Sequence, residues 1–552
     1  MQEVTVSLPS GRRETVPYGT RVGELFANEA EHIPEDVVGA LVNNECTSLS
    51  YKVEVNAEIV PVSLESEDGV RIYRNSLCFL LYLAVHELFP ERSLVIGHSL
   101  GNGYFYYFDG FTDIETEDLQ KLEDRMRQLV REEHPIQRKV ISYTDALEYF
   151  ENANQPDTLL LLKQQNKNKV PVYAMGNFVD LAHNPLVPNT SVLREFEIRK
   201  YNQGFLLRYP PHESPKQLMP FKDSPILYSI YQEYKAWGKI LGVHSVGRLN
   251  KIIYNREIRD FIRVAETLHN KKIAHIADQI LERRGNVKIV LIAGPSSSGK
   301  TTFTKKLAVQ LRVVGFNPVV INMDNYFVPR HLNPVDENGN LDFEVLEAID
   351  VPLLNEHLLT LFDGRIAEIP EFNFKTGNRE NEGKQLQIDD RAIILMEGIH
   401  GLNERLTPDV SSDKKYKIYV SALTQLNLDD HNRISTTDNR LLRRMVRDHQ
   451  FRGYSARETL ERWPSVRRGE KRNIFPYQDN ADSAFNSALD YELSVLKVYA
   501  EPLLKTIKPQ DNYYKQAERL LFFLDNFNPL QATAVPRYSI LREFIGESGF
   551  KY

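Results

Sequence analysis

The feature that most constrains this chain is the run Gly294-Pro295-Ser296-Ser297-Ser298-Gly299-Lys300-Thr301. It has the spacing G-x-x-x-x-G-K-[ST], with an apolar run (Val287 to Ala293) before it and a helix-forming run (Lys300 to Val313) after it. The glycines let backbone N–H groups curl around phosphate oxygens, and the helix N-terminus adds partial positive charge. Lys300 is placed to reach the β- and γ-phosphates of a nucleotide, and the Thr301 hydroxyl to ligate Mg²⁺. The expected nucleotide-binding set is Gly294, Pro295, Ser296, Ser297, Ser298, Gly299, Lys300, Thr301 and Thr302. A Gly/Ser-rich turn that merely contains a lysine would not need a strand and a helix in register on its two sides.

Beyond this loop the pattern is one of apolar strands separated by helices. Pro318 to Met323, Ala392 to Met396, Lys417 to Val420 and Leu520 to Leu524 read as further strands. Continuous apolar runs of this kind indicate a parallel sheet covered on both faces, an α/β fold.

A phosphate-binding loop alone does not separate kinases from ATPases and GTPases. Asp324 ends the second strand and Glu397 the third, and strand ends of open α/β sheets line the ligand crevice. A carboxylate at Asp324 suits a base that takes the proton of an attacking hydroxyl; a turn or cap aspartate would look the same. Glu397 suits Mg²⁺, held directly or through water, or a purely structural acid. Arg440, Arg443 and Arg447 recur at helical spacing beside Arg444, and Arg452, Arg457, Arg462, Arg467 and Arg468 follow. As a group they fit a lid that clamps a transferring phosphoryl group. Singly, each is as well explained by a solvated helix face paired with Asp438, Asp448, Glu458 or Glu461.

Bulk properties exclude some classes. With 552 residues the chain exceeds one hydrophobic core, so several units are expected. The net charge of −7 gives no support to nucleic acid as main partner. Cys46 and Cys78 form neither a disulfide framework nor a zinc site. No basic-then-apolar leader is visible, and the run Leu77 to Val85 is far short of the about 20 residues of a membrane span. A cytoplasmic location is expected; oligomeric state is left open.

The N-terminal half reads differently. Val4 to Leu8, Val37 to Val42 and Val53 to Val62 are short β-type runs punctuated by Gly, Pro and Asn, a small β-rich module over 1–64. Residues 65–200 mix a helix (Ser76 to Leu88), a Gly/Tyr/Phe stretch (Gly101 to Phe111) and a charge-patterned helix (Thr116 to Glu133). A Pro-rich connector and an amphipathic helix, Glu257 to Arg284, occupy 201–284, and the phosphate-loop unit takes 285–552.

Taken together, Val287 to about Leu504 resembles the uridine kinase and phosphoribulokinase family. The loop in Gly-Lys-Thr-Thr form, Asp324 before an aromatic pair, the Glu397-Gly398-Ile399 strand end and the Arg443-Arg444-x-x-Arg447-Asp448…Arg452-Gly453 pattern carry the likeness. The resemblance implies ATP and Mg²⁺ as cofactors, Asp324 as base toward a sugar hydroxyl, and Arg443, Arg447 and Arg452 on the nucleotide and the moving phosphate. It places Glu347 where the family touches ribose, and Phe372, Phe374 and Arg379 at the acceptor. The family reads uracil with a Tyr and a His; Phe372 and Gly377 stand there, so two hydrogen-bonding groups are missing and uridine itself is not implied.

Residues from about Glu3 to Val62 look like a TGS domain. Those from Glu67 to about Lys200 resemble the second additional domain of threonyl-tRNA synthetase, on Arg74-Asn75-Ser76, Gly103 to Asp109 and Pro185 to Thr190. In that family the domain edits mischarged tRNA with a metal-type His/Cys constellation. Those four positions read Asn75, Phe79, Ala182 and Leu186, none able to ligate a metal or act as a base, and His183 stands alone beside them. Editing is expected to be absent. What remains is an RNA- or nucleotide-recognising module, or a scaffold for the kinase-like half; the acidic charge favours the scaffold. The whole reads as an ATP-dependent kinase acting on the hydroxyl of a nucleoside-like small molecule. A kinase of a non-nucleoside metabolite and a phosphate-loop NTPase switch are the alternatives.

Overall fold

The computed structural model describes residues 2–110, 113–335, 339, 341–373, 376–380 and 382–551. In Glu3–Ser7 exposure alternates, with Val4 and Val6 turned inward, the period of a strand with one solvated face. This strand pairs antiparallel with Arg13–Pro17 and parallel with Ala57–Ser63. Val37–Val42 and Glu45–Thr47 complete a five-stranded sheet. The helix Val22–Ala27 covers it with Val22, Leu25 and Phe26. The arrangement is β-grasp-like.

Ser66 caps the next helix, Glu67–Leu88, by accepting the Gly69 amide at 3.0 Å. Every residue from Ser76 to Val85 is buried, because this helix is covered on more than one side. Beside it lies an antiparallel sheet of Leu94–Leu100, Gly103–Phe108, Gly204–Arg208 and Glu197–Tyr201. A second antiparallel sheet joins Gln137–Ser142, Lys169–Met175 and Phe178–Leu181. This is the α+β unit.

The connector is helical and touches both halves. From Pro225–Leu241, the Tyr231 ring packs at 5.7 Å on Phe105, while the Tyr234 hydroxyl donates to the Asn486 carbonyl at 2.9 Å.

In the C-terminal unit five strands lie parallel in the order Asn317–Asn322, Ala392–Glu397, Ile289–Ala293, Lys415–Ser421 and Ser483–Asn486. The central strand, Ile289–Ala293, is buried throughout. Its odd and even side chains feed separate cores. Val290 and Ile292 meet Phe303, Leu307 and Leu311 of the helix Lys300–Val313, and Ile289 and Leu291 meet Leu354, Leu358 and Leu361 of Val351–Phe362. A continuous apolar run is what two covered faces require. The unit is an α/β phosphate-loop kinase fold.

One expected strand is a helix. Leu520 to Leu524 lies within Tyr514–Leu524, whose buried residues are Ala517, Leu520 and Leu524. An unbroken apolar pentapeptide carries no period of its own, so helix and strand look alike there. The fifth strand is Ser483–Asn486, too short and too polar to stand out in the sequence.

Candidate functional site

The loop Gly294–Thr301 leaves the C-terminal end of the central strand, at the crevice outside the sheet. Two of its glycines are demanded by geometry. A Cβ on Gly294 would stand 1.9 Å from the Val420 carbonyl oxygen, and Gly299 has φ +79° with a Cβ position 2.5 Å from the Ile540 side chain. Lys300 Nζ donates to the Gly294 and Pro295 carbonyls at 2.8 and 3.1 Å. Burial lowers its pKa, against the pull of Glu397, Glu543 and Glu470. The hydroxyls of Ser297 and Ser298 are buried and have no hydrogen-bond partner among the described residues. Orphaned donors beside a cationic lysine at a helix start fit a polyphosphate.

Glu397 sits where its strand ends, hydrogen-bonded to Thr301. Burial raises its pKa to about 6; Lys300 and Thr301 oppose the rise, and Glu543 and Asp324 add to it. One hydroxyl and one carboxylate side by side are the protein share that Mg²⁺ uses when phosphates and water fill the rest of its shell. Among the described residues no group of three or more His, Cys, Asp or Glu converges as a metal cage, and such a shared site needs none.

Asp324 follows the strand Asn317–Asn322 in a short 3-10 turn, Met323–Tyr326. The turn is capped by Asn322, whose Oδ1 accepts the Asp324 amide at 3.0 Å. The Asp324 side chain is therefore not the cap. It makes no hydrogen bond or ion pair among the described residues. Burial raises its pKa, with Lys300 and Arg452 acting in the other direction. A free carboxylate shifted toward neutrality suits a general base.

The arginines separate into two groups. Arg443 is fully buried. It donates to the Ser297 carbonyl at 3.3 Å, to Ser487 Oγ and O at 3.0 and 2.9 Å, and is ion-paired with Glu492. Its guanidinium is committed to protein and braces the back of the loop, which corrects its expected place in the clamp. Arg440 braces Ser296 through its carbonyl at 3.0 Å, and Glu470 accepts the Ser296 amide at 2.8 Å while pairing with Arg440. Arg444, Arg447 and Arg452 instead surround the buried Asp448 at 3.1, 3.0 and 3.4 Å. Arg444 also donates to Ser296 Oγ at 2.7 Å, and Arg452 is half exposed. The helix Thr436–Arg452 thus carries Arg452 within electrostatic reach of Asp324 while its buried side is fastened to the loop.

Of the residues expected at the acceptor, Phe372 is buried and its ring lies 5.6 Å from Phe327, which in turn lies 6.0 Å from Phe343. Arg379 donates to the Tyr326 and Phe327 carbonyls, each at 3.2 Å, and pairs with Asp350 at 3.0 Å. It holds the turn behind Asp324. Glu347 is exposed and paired with Arg405 at 2.8 Å. Phe374 lies outside the described residues.

Thr302, expected at the nucleotide, donates both its amide and its hydroxyl to Glu543, at 3.0 and 2.7 Å. Glu543, Glu470 and Glu492 are site residues the sequence reading missed. Each carries an ordinary acidic position in a helical or terminal segment, with its partner far away in the chain, so no local signal marks them.

The positions Asn75, Phe79, Ala182 and Leu186 lie beside a loop of the other half. Phe79 packs edge-on against Phe178 at 5.2 Å, and Leu186 is buried. His183 is not alone: its Nε2 lies 2.6 Å from Asp429.

Among known proteins, residues 289–494 match the model of the Phosphoribulokinase / Uridine kinase family. The N-terminal part is similar to threonine–tRNA ligases. Identity is 28% over 198 residues with that of Citrifermentans bemidjiense, covering 36% of this chain and 31% of the relative. It is 31% over 180 residues with that of Lawsonia intracellularis, covering 32% and 28%. The chain spans about a third of the length of these curated relatives. Among solved structures, a possible uridine kinase from Bacillus stearothermophilus aligns at 17% identity and TM-score 0.27, over 39% of this chain and 98% of that one. D-glycerate 3-kinase from Cryptococcus neoformans aligns at 15% identity and TM-score 0.21, over 50% and 88%.

Proposed function

We propose that the domain at 289–494, which belongs to the phosphoribulokinase and uridine kinase family, is an ATP-dependent kinase for the hydroxyl of a nucleoside-like small molecule. The observation that carries this reading is the Asp324 carboxylate, unpaired among the described residues, at a strand end within electrostatic reach of Lys300. An NTPase switch could use such a carboxylate to orient water; the match to a family of small-molecule kinases favours an acceptor hydroxyl instead.

When bound, ATP supplies the phosphoryl group and Mg²⁺ screens its charge. Lys300 and the loop amides hold the phosphates, and Thr301 and Glu397 serve the metal. The acceptor hydroxyl gives its proton to Asp324 as its oxygen bonds to the γ-phosphorus, and ADP leaves. Arg447 and Arg452 stabilise the charge on the moving group, work that is mostly positioning and neutralisation. The aromatic wall of Phe327, Phe343 and Phe372 favours a flat ring in the acceptor.

The experiment is an ADP-release screen of the full chain over nucleosides, sugars and vitamin alcohols. ADP release that requires a nucleoside supports this reading. Release that requires a sugar or other non-nucleoside alcohol supports the non-nucleoside kinase, and release needing no acceptor supports the NTPase switch.

A further inference from the structure

A cavity of about 120 Å³ lies between the synthetase-like and kinase-like halves, and none of its lining residues belongs to the phosphate loop. A cavity of about 150 Å³ takes one benzene ring, so this one suits a ligand built on a single small ring. Its aromatic wall is Phe79, Tyr82, Tyr104 and Tyr173 from the N-terminal half, and residues 428–438 together with Arg519 and Phe522 close it from the C-terminal half.

The charges around it do not balance. Four arginines line it: Arg71, Arg74, Arg433 and Arg519. Arg71 pairs with Asp68, and Arg519 makes two 2.7 Å bonds to Asp438. The remaining lining carboxylate, Asp180, is taken by His431 at 3.1 Å. Arg74 and Arg433 have no carboxylate within ion-pair distance among the described residues. Both sit against the same ring, Tyr104, at 5.1 and 4.9 Å. The Arg74 side chain is hydrogen-bonded to Tyr209, but its Nε is cut off from solvent with no hydrogen-bond partner among the described residues, a costly state for a cationic donor. Two like charges held on one aromatic ring, from opposite halves of the chain, face a space large enough for an organic molecule.

We propose that this cavity is a binding site for a small organic anion about the size of one aromatic ring, bearing a phosphomonoester or a carboxylate. Arg74 and Arg433 grip the oxyanion from two sides, as guanidinium forks do for either group. The aromatic wall takes the organic body. Because Arg433 comes from the kinase-like half, the site exists only where the two halves meet. Its floor, Ser435 and Asp438, opens the helix that reaches the phosphate loop, so the occupant sits at one end of the element that bears the lid arginines. The inference rests on the cavity and not on the proposed kinase activity.

The test is calorimetric titration of the full chain with inorganic phosphate, phenyl phosphate, phenol and benzoate. Arg433→Gln and Arg74→Gln are compared with wild type, and Lys300→Ala removes phosphate binding at the loop. The proposal expects phenyl phosphate or benzoate to bind Lys300→Ala with wild-type affinity and both arginine variants at least tenfold more weakly. Preference for phenyl phosphate identifies the phosphate, and preference for benzoate the carboxylate. The Arg433 side chain makes no hydrogen bond or ion pair among the described residues, so its variant is expected to keep the wild-type melting temperature, which makes its loss of binding interpretable even if Arg74→Gln misfolds. Phenol binding as tightly as both anions in Lys300→Ala, binding unchanged in Arg433→Gln, or no binding of any probe would each overturn it.

Discussion

His183 Nε2 stands 2.6 Å from Asp429 Oδ2, although the two are 246 positions apart in the chain. Asp429 is buried and His183 nearly so. The next two residues dock in the same way. Asp430 accepts the amides of Asp157 and Thr158 at 3.0 and 2.8 Å and the Thr158 hydroxyl at 3.0 Å, and His431 meets Asp180 at 3.1 Å. A single tripeptide of the kinase-like half is thus bonded into the synthetase-like half.

Removing that anchor uncouples the halves. Asp429→Ala leaves His183 without its partner and strips the Asn432 and His431 amides of their acceptor. Breaking a buried pair of this kind costs about 3–5 kcal/mol, read by chemical denaturation as a lower midpoint or a split transition. A loss under about 1 kcal/mol would show that the pair does not hold the halves together.

Asp429 also gives the contact a pH dependence. Burial works to raise its pKa, but His183, Asn432 and His431 leave it below the ordinary carboxylate range. A depressed carboxylate stabilises the fold above its unfolded pKa, and that stability fades as pH falls through its folded pKa. Wild type is expected to lose more stability than Asp429→Asn on going from pH 6 toward about 3, in matched denaturation series. Parallel curves would count against it.

For the base, Asp324→Asn keeps size and polarity but cannot take a proton. Turnover is expected to fall by about 10²–10⁴-fold with ATP affinity unchanged. If turnover stays at the wild-type level, Asp324 is not the base.

Glu397 should trade stability against activity. Its pKa is raised from 4.5 to about 6, so the folded state binds more protons than the unfolded one between those values. Stability therefore declines as pH rises from about 4.5 through about 6. Glu397→Gln removes that penalty and is expected to raise stability at pH 7.5 by about 1–2 kcal/mol. The same change should weaken Mg²⁺-dependent turnover. A variant both less stable and fully active would refute the assignment.

The arginines are expected to separate in the same assays. Arg443→Ala leaves Glu492 buried and unpaired, a loss of about 3–5 kcal/mol. Arg452→Ala, at a half-exposed position, should change stability by less than about 1 kcal/mol and act on kcat. Equal stability losses would erase the distinction between brace and clamp.

Much of the site was legible because its signals are local. The loop's glycines answer to backbone constraints at single positions, Gly294 against Val420 and Gly299 at positive φ. Asp324 and Glu397 are marked by the strands they end, which announce themselves as apolar runs. Leu520 to Leu524 was misread where that signal fails, since a wholly apolar run has no period.

The sequence by itself determined the phosphate loop and the parallel sheet around it, both written in spacing, period and residue type. Only the tertiary structure decided which charges are spent and which are free. It gave Arg443 to Glu492, Thr302 to Glu543 and His183 to Asp429, left the Asp324 side chain without an ion pair among the described residues, and brought Arg74 and Arg433 to one ring. The physical reason is range. Backbone preferences act over a few residues, whereas a hydrogen bond or ion pair is settled within about 3–4 Å by packing that brings distant segments together.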